Sequence, residues 1–131
     1  MKRVTLTAVT LALIGMACGC ATMQTAKRFD GTVMEKGARP LATVAVENYG
    51  YYLFGVIPII AGEPKHPNAN TCRLFDDSVT VQNNLAMISQ VVKTERGRKL
   101  TNMNTTEEWT GAFSLWILWR KTLFTSALVM E

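Results

Sequence analysis

The chain has 131 residues, a net charge of +4 and a hydrophobic fraction of 48%, a length that suits one ordinary globular domain. Without Lys2 and Arg3 the charge balance falls to about +2. The sequence contains no basic stripe with interleaved aromatic residues, which argues against a nucleic-acid partner.

The N-terminus has the layout of a targeting segment. The basic start Met1-Lys2-Arg3 is followed by an uncharged, mostly apolar stretch over residues 4–17. A membrane-spanning helix takes about 20 apolar residues, whereas the apolar region of a cleaved secretory signal takes about 7–15. We therefore predict a signal peptide over residues 1–19.

The end of this segment resembles the bacterial lipobox, in which small residues and then Gly or Ala precede a cysteine. Gly19 directly precedes Cys20, and this resemblance implies that Cys20 is the lipid-attachment residue, with a diacylglycerol thioether and an acylated amine. Cys18, which follows Ala17, is the alternative. A further alternative is an ordinary secretory signal that is cut after Ala17 or Ala21.

Acylation would hold the mature chain to a membrane through its covalent lipid. Each buried methylene contributes about 0.8 kcal/mol, so two or three acyl chains anchor a protein almost permanently. Ala21, rather than Asp, follows Cys20. By resemblance to lipoprotein sorting in Gram-negative bacteria, this implies the outer membrane, facing the periplasm. The outer surface of a Gram-positive cell is the alternative.

Residues 20–40 are polar and are interrupted by Gly31, Gly37 and Pro40. We predict that they form a flexible, lipidated tether that leads to a small domain over residues 41–131.

The first half of this domain predicts short strands. Residues 41–46 alternate in part, and residues 48–50 are typical of a turn. The apolar block 51–62 contains Pro58, which cannot donate to a strand ladder and so must lie at an edge or a bulge. We expect two short strands here and a brief extended piece over residues 72–75.

A helix is predicted at about residues 80–96. Apolar residues recur there at helical spacing, and Gly97 is a favourable residue just after a helix end. The predicted apolar stripe consists of Val81, Leu85, Ile88 and Val92.

The last part predicts a strand over residues 99–103, a polar loop over 104–111 and a terminal strand over roughly 121–130. A single amphipathic helix needs a surface on which to pack, and a small antiparallel sheet supplies it. The predicted fold class is therefore α+β, with a small antiparallel sheet covered by one main amphipathic helix.

Three segments are similar to a group of small bacterial lipoproteins. They are the aromatic block 48–58 (NYGYYLFGVIP), the helix start 77–80 (DSVT) and the closing strand 121–129. The helix–strand–strand half has a looser similarity to the TRL-like lipoproteins. Neither group implies a known reaction, so the resemblance implies an envelope location and a fold, but no cofactor.

Candidate catalytic residues are few. His66 is the single histidine, and with Cys72 it could form a thiolate–imidazole pair, or with Asp76 and Asp77 a metal site. Their spacing matches no ligand pattern, so we expect a solvated loop histidine and a buried Cys72 thiol. An intermolecular disulfide is the alternative for Cys72, as is a pair with Cys20 if the lipid is on the earlier cysteine.

The remaining candidates have structural explanations. The acidic pairs 76–77 and 107–108 are explained by a position at the start of a helix or by solvation in a loop. Most aromatic side chains should be core in so small a domain, although an exposed set would form a binding patch. The aromatic residues concerned are Tyr49, Tyr51, Tyr52, Phe54, Trp109, Trp116 and Trp119.

We therefore expect a non-enzymatic lipoprotein, anchored in the membrane at Cys20, that has a structural or binding role in the cell envelope. No catalytic residue, metal or cofactor is assigned. The expected partner is an envelope protein, peptidoglycan or a small apolar ligand. The alternative is a small envelope hydrolase or redox protein that uses Cys72 and His66.

Overall fold

The computed structural model describes residues 20–27, 37, 39–69, 71–111 and 117–131. These residues form six strands and one helix in chain order. The elements are β1 (Cys20–Ala26), β2 (Pro40–Leu53), β3 (Ile57–Gly62), β4 (Cys72–Leu74), α1 (Val81–Thr94), β5 (Lys99–Gly111) and β6 (Leu118–Met130).

The six strands form one antiparallel sheet, in which five follow the order β4-β3-β2-β6-β5 and β1 pairs with β2. Strand β2 is at its centre and pairs with β6 along nearly its whole length. Its other edge is shared, because β1 pairs with residues 43–49 and β3 with residues 50–53. The turn between β2 and β3 therefore lies at one end of the sheet, well beyond β1.

The main core lies between α1 and one face of the sheet. Side chains of β2 alternate in burial, as expected for a strand with one covered face. Val44 and Val46 pack with Ile88 and Val91 of α1 and with Val129 of β6. The helix begins after Thr80, whose side chain accepts a hydrogen bond from the Asn83 backbone N–H, which satisfies one orphan donor.

The predicted helix is confirmed, but its buried face was assigned wrongly. The buried residues of α1 are Asn84, Met87, Ile88 and Val91, so only Ile88 of the predicted stripe is fully buried. Asn84 takes the inward position because its amide donates to the Leu123 carbonyl at 3.0 Å and to Thr125 Oγ1 at 3.1 Å. Buried polar groups need such partners.

A second cluster continues the same face toward the β2–β3 turn. Tyr52 and Leu123 pack there with Val79, in the segment before the helix. The Tyr52 hydroxyl donates to Asp77 at 2.6 Å. Burial, and then this hydrogen bond, raise the pKa of Tyr52 far above its ordinary value.

The predicted α+β class is wrong, because the protein is mainly β. Of the described residues, 58% are in strands and 15% are in the helix. The difference comes from strand length. Residues 48–50, predicted as a turn, continue β2, and residues 104–111, predicted as a polar loop, belong to β5. The Thr-rich stretch of β5 has both faces exposed, so it carries no alternating apolar pattern, although Thr favours strands.

The predicted tether is also wrong for its first residues. Residues 20–26 form β1, in full register with β2. The predicted signal peptide over residues 1–19 lies outside the described residues, as do residues 28–36 of the tether. Within the described part of the chain, no helix has the length and apolarity that a membrane span requires.

Candidate binding surface and anchor position

The predicted lipid-attachment residue, Cys20, is the first residue of β1 and lies opposite Tyr49 in the register. Strand β1 is held from its outer side as well. The Asn68 backbone N–H donates to the Ala21 carbonyl at 2.8 Å, and the Asn68 side chain exchanges two hydrogen bonds with the Met23 backbone. An acylated Cys20 would therefore join the sheet directly, with no linker after it.

The face of the sheet opposite α1 carries no described helix or strand, and we call it the open face. The odd-numbered side chains of β2 and the even-numbered side chains of β6 lie on this face, because directly paired residues share a face. Leu128, at the end of the face far from the β2–β3 turn, is buried. Its central members are Glu47, Tyr49, Tyr51, Arg120 and Phe124.

Arg120 organises the centre of the open face. Its guanidinium carbon lies 4.1 Å from the centroid of the Tyr49 ring, a cation–π contact. Its Nη2 lies 3.7 Å from a carboxylate oxygen of Glu47. The two side chains are 39% and 41% exposed, so this ion pair contributes little to stability.

The ring of Tyr49 also meets Tyr51 edge-on, at 6.3 Å between centroids. These contacts hold a planar, charged donor group on an aromatic support. Nε of Arg120 is buried and makes no hydrogen bond with any described residue. Arg and Tyr are the residue types most enriched where binding energy concentrates.

A shallow groove of 180 Å³ lies beside this cluster on the open face. One wall is the ring of Phe124, which is 41% exposed. The groove is lined by Thr22, Gln24, Ala45, Glu47 and Phe124. Its mixed polar and apolar lining suits an extended peptide or sugar segment better than a purely apolar ligand.

A second groove, of 220 Å³, lies between β1 and the helix. It is lined by Met23, Thr25, Gln90, Val91, Thr94 and Glu95. Glu95 forms an ion pair with Lys27, with 3.6 Å between Oε2 and Nζ. Within the part of the chain that the structure describes, no aromatic or guanidinium group lines this groove, and its single charged lining residue, Glu95, is already paired with Lys27, so we give it no functional assignment.

The structure places His66 and Cys72 on the surface. His66 lies in the turn after β3, and Cys72 begins the edge strand β4. The expectation of a buried Cys72 thiol is wrong, since this thiol is exposed. Neither residue lines the two grooves. Among the described residues, no three His, Cys, Asp or Glu side chains are grouped to hold a metal ion.

Three of the four carboxylates in the acidic pairs have structural partners. Asp76 pairs with Arg73 at 2.5 Å, and Asp77 accepts the Tyr52 hydroxyl. Glu107 accepts a hydrogen bond from Trp109 Nε1 at 2.6 Å. Charge pairing and hydrogen bonding thus account for these carboxylates.

The aromatic residues divide differently from the expectation that most are core. Tyr52 is 2% exposed, whereas Phe54 is 63% and Trp109 is 39% exposed. Trp116 lies outside the described residues. Sequence reasoning missed Glu47, Arg120 and Phe124 as surface neighbours, because only the β2–β6 register brings them together.

Comparisons with protein families, with curated proteins and with solved structures find no match to this chain.

Proposed function

We propose that the chain is a lipid-anchored protein of the bacterial cell envelope with a non-enzymatic binding role. The anchor is Cys20, in the outer membrane and facing the periplasm. The proposal is supported by the N-terminal sequence, in which a basic start, a short apolar stretch and Gly19 precede Cys20. These are the features of a lipoprotein signal.

The binding role is supported by the open face. Its Arg120–Tyr49–Glu47 cluster and the adjacent groove beside Phe124 are accessible from solvent. A planar guanidinium on an aromatic ring suits carboxylate groups, and these occur in envelope proteins and in peptidoglycan peptides. The partner class is therefore an envelope protein or peptidoglycan.

The alternative of a hydrolase or redox protein at Cys72 and His66 gains no support. A catalytic pair needs a positioned, partly shielded site. Both side chains are exposed at the edge of the sheet. No observation favours this second function.

Localisation tests the anchor. Cells that express the wild type and a Cys20→Ala variant are fractionated, and membranes are separated by density. We expect the wild type in the outer-membrane fraction and the variant, which lacks the proposed acylation site, in a different fraction. A wild-type chain that is recovered in full from the soluble periplasm would contradict the proposal.

Site-specific crosslinking tests the open face. A photo-activatable residue replaces Phe124 on that face or, as a control, the exposed Gln82 of α1. We expect a discrete protein or peptidoglycan adduct at position 124 alone, and we expect it to disappear when Arg120→Ala is added. Equal adducts at both positions, or none at position 124, would contradict a binding role for this face.

A further inference from the structure

The turn between β2 and β3 presents a cluster of exposed apolar side chains at one end of the sheet. Phe54 is 63%, Val56 77% and Ile57 51% exposed. Ile117, which immediately precedes β6, is 40% exposed. The Phe54 backbone N–H donates to the Ile117 carbonyl at 2.6 Å, so the four residues are contiguous. We call them the apolar tip.

The apolar tip contains a tight, hydrogen-bonded turn. Phe54 and Gly55 have φ values of 53° and 71°, and the Val56 N–H donates to the Leu53 carbonyl at 3.1 Å. Two consecutive positive φ angles define a tight turn that matches strand twist. No residue from Leu53 to Gly62 is charged. An exposed apolar turn without charged residues suits the apolar interior of a lipid bilayer.

The residues below the tip are layered. Tyr51 and Trp119 lie within two rows of the end of β2, and Trp109 lies one row further down. Arg120 and Lys121 occupy the same rows, and Lys121 Nζ lies 5.5 Å from the Trp109 ring centroid. An apolar end, followed by rows in which Trp and Tyr are mixed with Lys and Arg, has the composition of a surface that meets a membrane interface.

The register relates this end of the sheet to Cys20. Cys20 lies in the row of Tyr49, four residues from Leu53 at the end of β2. At about 3.3 Å per residue, the tip projects roughly 13 Å beyond that row. Because β1 is paired from Cys20 onward, acyl chains on Cys20 would bring the bilayer close to the same end of the sheet.

We propose that the apolar tip inserts into the lipid bilayer, as a second membrane contact that fixes the orientation of the domain. The tip would enter the interface beside the acyl chains, and the aromatic layer would lie at the head groups. The part of the open face that carries Glu47 and Phe124, six rows from Leu53, would then lie outside the head-group layer. This inference rests on the proposed lipid anchor for its geometry, but it is tested by a separate readout.

The test uses the full acylated protein, extracted from membranes and reconstituted in vesicles of phosphatidylethanolamine and phosphatidylglycerol. In a Cys72→Ser background, Val56→Cys carries an environment-sensitive fluorophore on the tip. The matched control is Met103→Cys, because Met103 is 53% exposed. It lies between the rows of Thr43 and Ala45, on the opposite side of the Cys20 row from the tip.

Lipids brominated on their acyl chains quench only a fluorophore that reaches the apolar phase. We expect the label at position 56 to shift to shorter wavelength and to lose roughly half of its emission, as for a group buried at the acyl boundary. The label at position 103 should stay unquenched. Equal quenching at the two positions would overturn the inference.

The mass of each preparation separates this inference from the anchor. An acylated chain without quenching at position 56 would overturn tip insertion and leave the anchor in place. An unacylated chain with quenching at position 56 would overturn the anchor and support the tip. The absence of both acylation and quenching would overturn the two together.

Discussion

The close contact of Gly50 with β3 provides a quantitative test of the register that positions the apolar tip. A Cβ on Gly50 would lie 2.8 Å from the Ile60 carbonyl oxygen and 3.0 Å from Ala61 Cα. Both are backbone atoms, so the strand pair has to shift. Overpacking of this kind costs about 1–3 kcal/mol. We therefore predict that Gly50→Ala is destabilised by this clash.

Gly111 supplies the matched control, because a Cβ there meets no atom within 4 Å. Replacing Gly by Ala at a compatible site stabilises a protein by about 0.4–1 kcal/mol through the unfolded state. Both variants share that gain, so the difference between their free energies of unfolding reports the cost of the clash alone, about 1–3 kcal/mol. Each kcal/mol shifts the melting temperature of a chain of this size by roughly 3–5 °C.

The assay is thermal unfolding of the two purified full-length variants in the same mild detergent, followed by circular dichroism. We expect Gly50→Ala to melt about 3–15 °C below Gly111→Ala. Equal melting temperatures would refute the reasoning, because Gly50 would then not lie against Ile60 and Ala61. The position of the β2–β3 turn relative to β1 would have to be revised.

Three further predictions concern single side chains. Tyr52, whose pKa is raised by burial and by Asp77, stays neutral in the folded chain while the unfolded chain ionises near pH 10. The contribution of Tyr52 to the free energy of unfolding should therefore be constant below about pH 10 and fall by about 1.4 kcal/mol per pH unit above it. The Tyr52→Phe variant should lack this fall, and parallel stability curves for the wild type and the variant would contradict the prediction. Asn84→Ala should lower the free energy of unfolding by about 1–3 kcal/mol, because two buried acceptors lose their donor. The control Gln82→Ala, at an exposed position, should change it little. Equal urea midpoints for the two variants would exclude a stabilising role for the Asn84 hydrogen bonds. Cys72 should react with a polar maleimide in the folded protein because its thiol is exposed, and modification only after denaturation would contradict that placement.

Local signals in the sequence were sufficient for some elements. The helix was predicted because its apolar spacing and its Thr80 cap are both local. Pro58 was expected at an edge or a bulge, and the β2–β3 register shifts next to its pairing with Tyr52. The short strand β4 and the closing strand β6 also lie close to their predicted positions.

Pairing between distant strands was not predictable in the same way. Strand β1 has a polar sequence typical of a tether, and it is a strand because residues 43–49 pair with it. The edge strand β5 has no covered face over residues 102–111, so it lacks the alternation that marks a half-buried strand. These two segments account for the wrong fold class.

The open face required the same long-range information. Glu47 and Arg120 are 73 positions apart in the sequence, and the β2–β6 pairing brings them together. The sequence did indicate that Tyr and Phe were concentrated at residues 49–54. It gave no means of separating the buried Tyr52 from its neighbours on the other face, because the register of β2 decides which face is covered.

The central claim is that the mature chain begins at an acylated Cys20, and intact mass spectrometry of the membrane-extracted protein tests it most directly. The account predicts the mass of residues 20–131 plus a diacylglycerol group and an amide-linked acyl chain. The Cys20→Ala variant should not show this mass. A wild-type mass that matches an uncut chain, or a cleaved chain without lipid, would contradict the account.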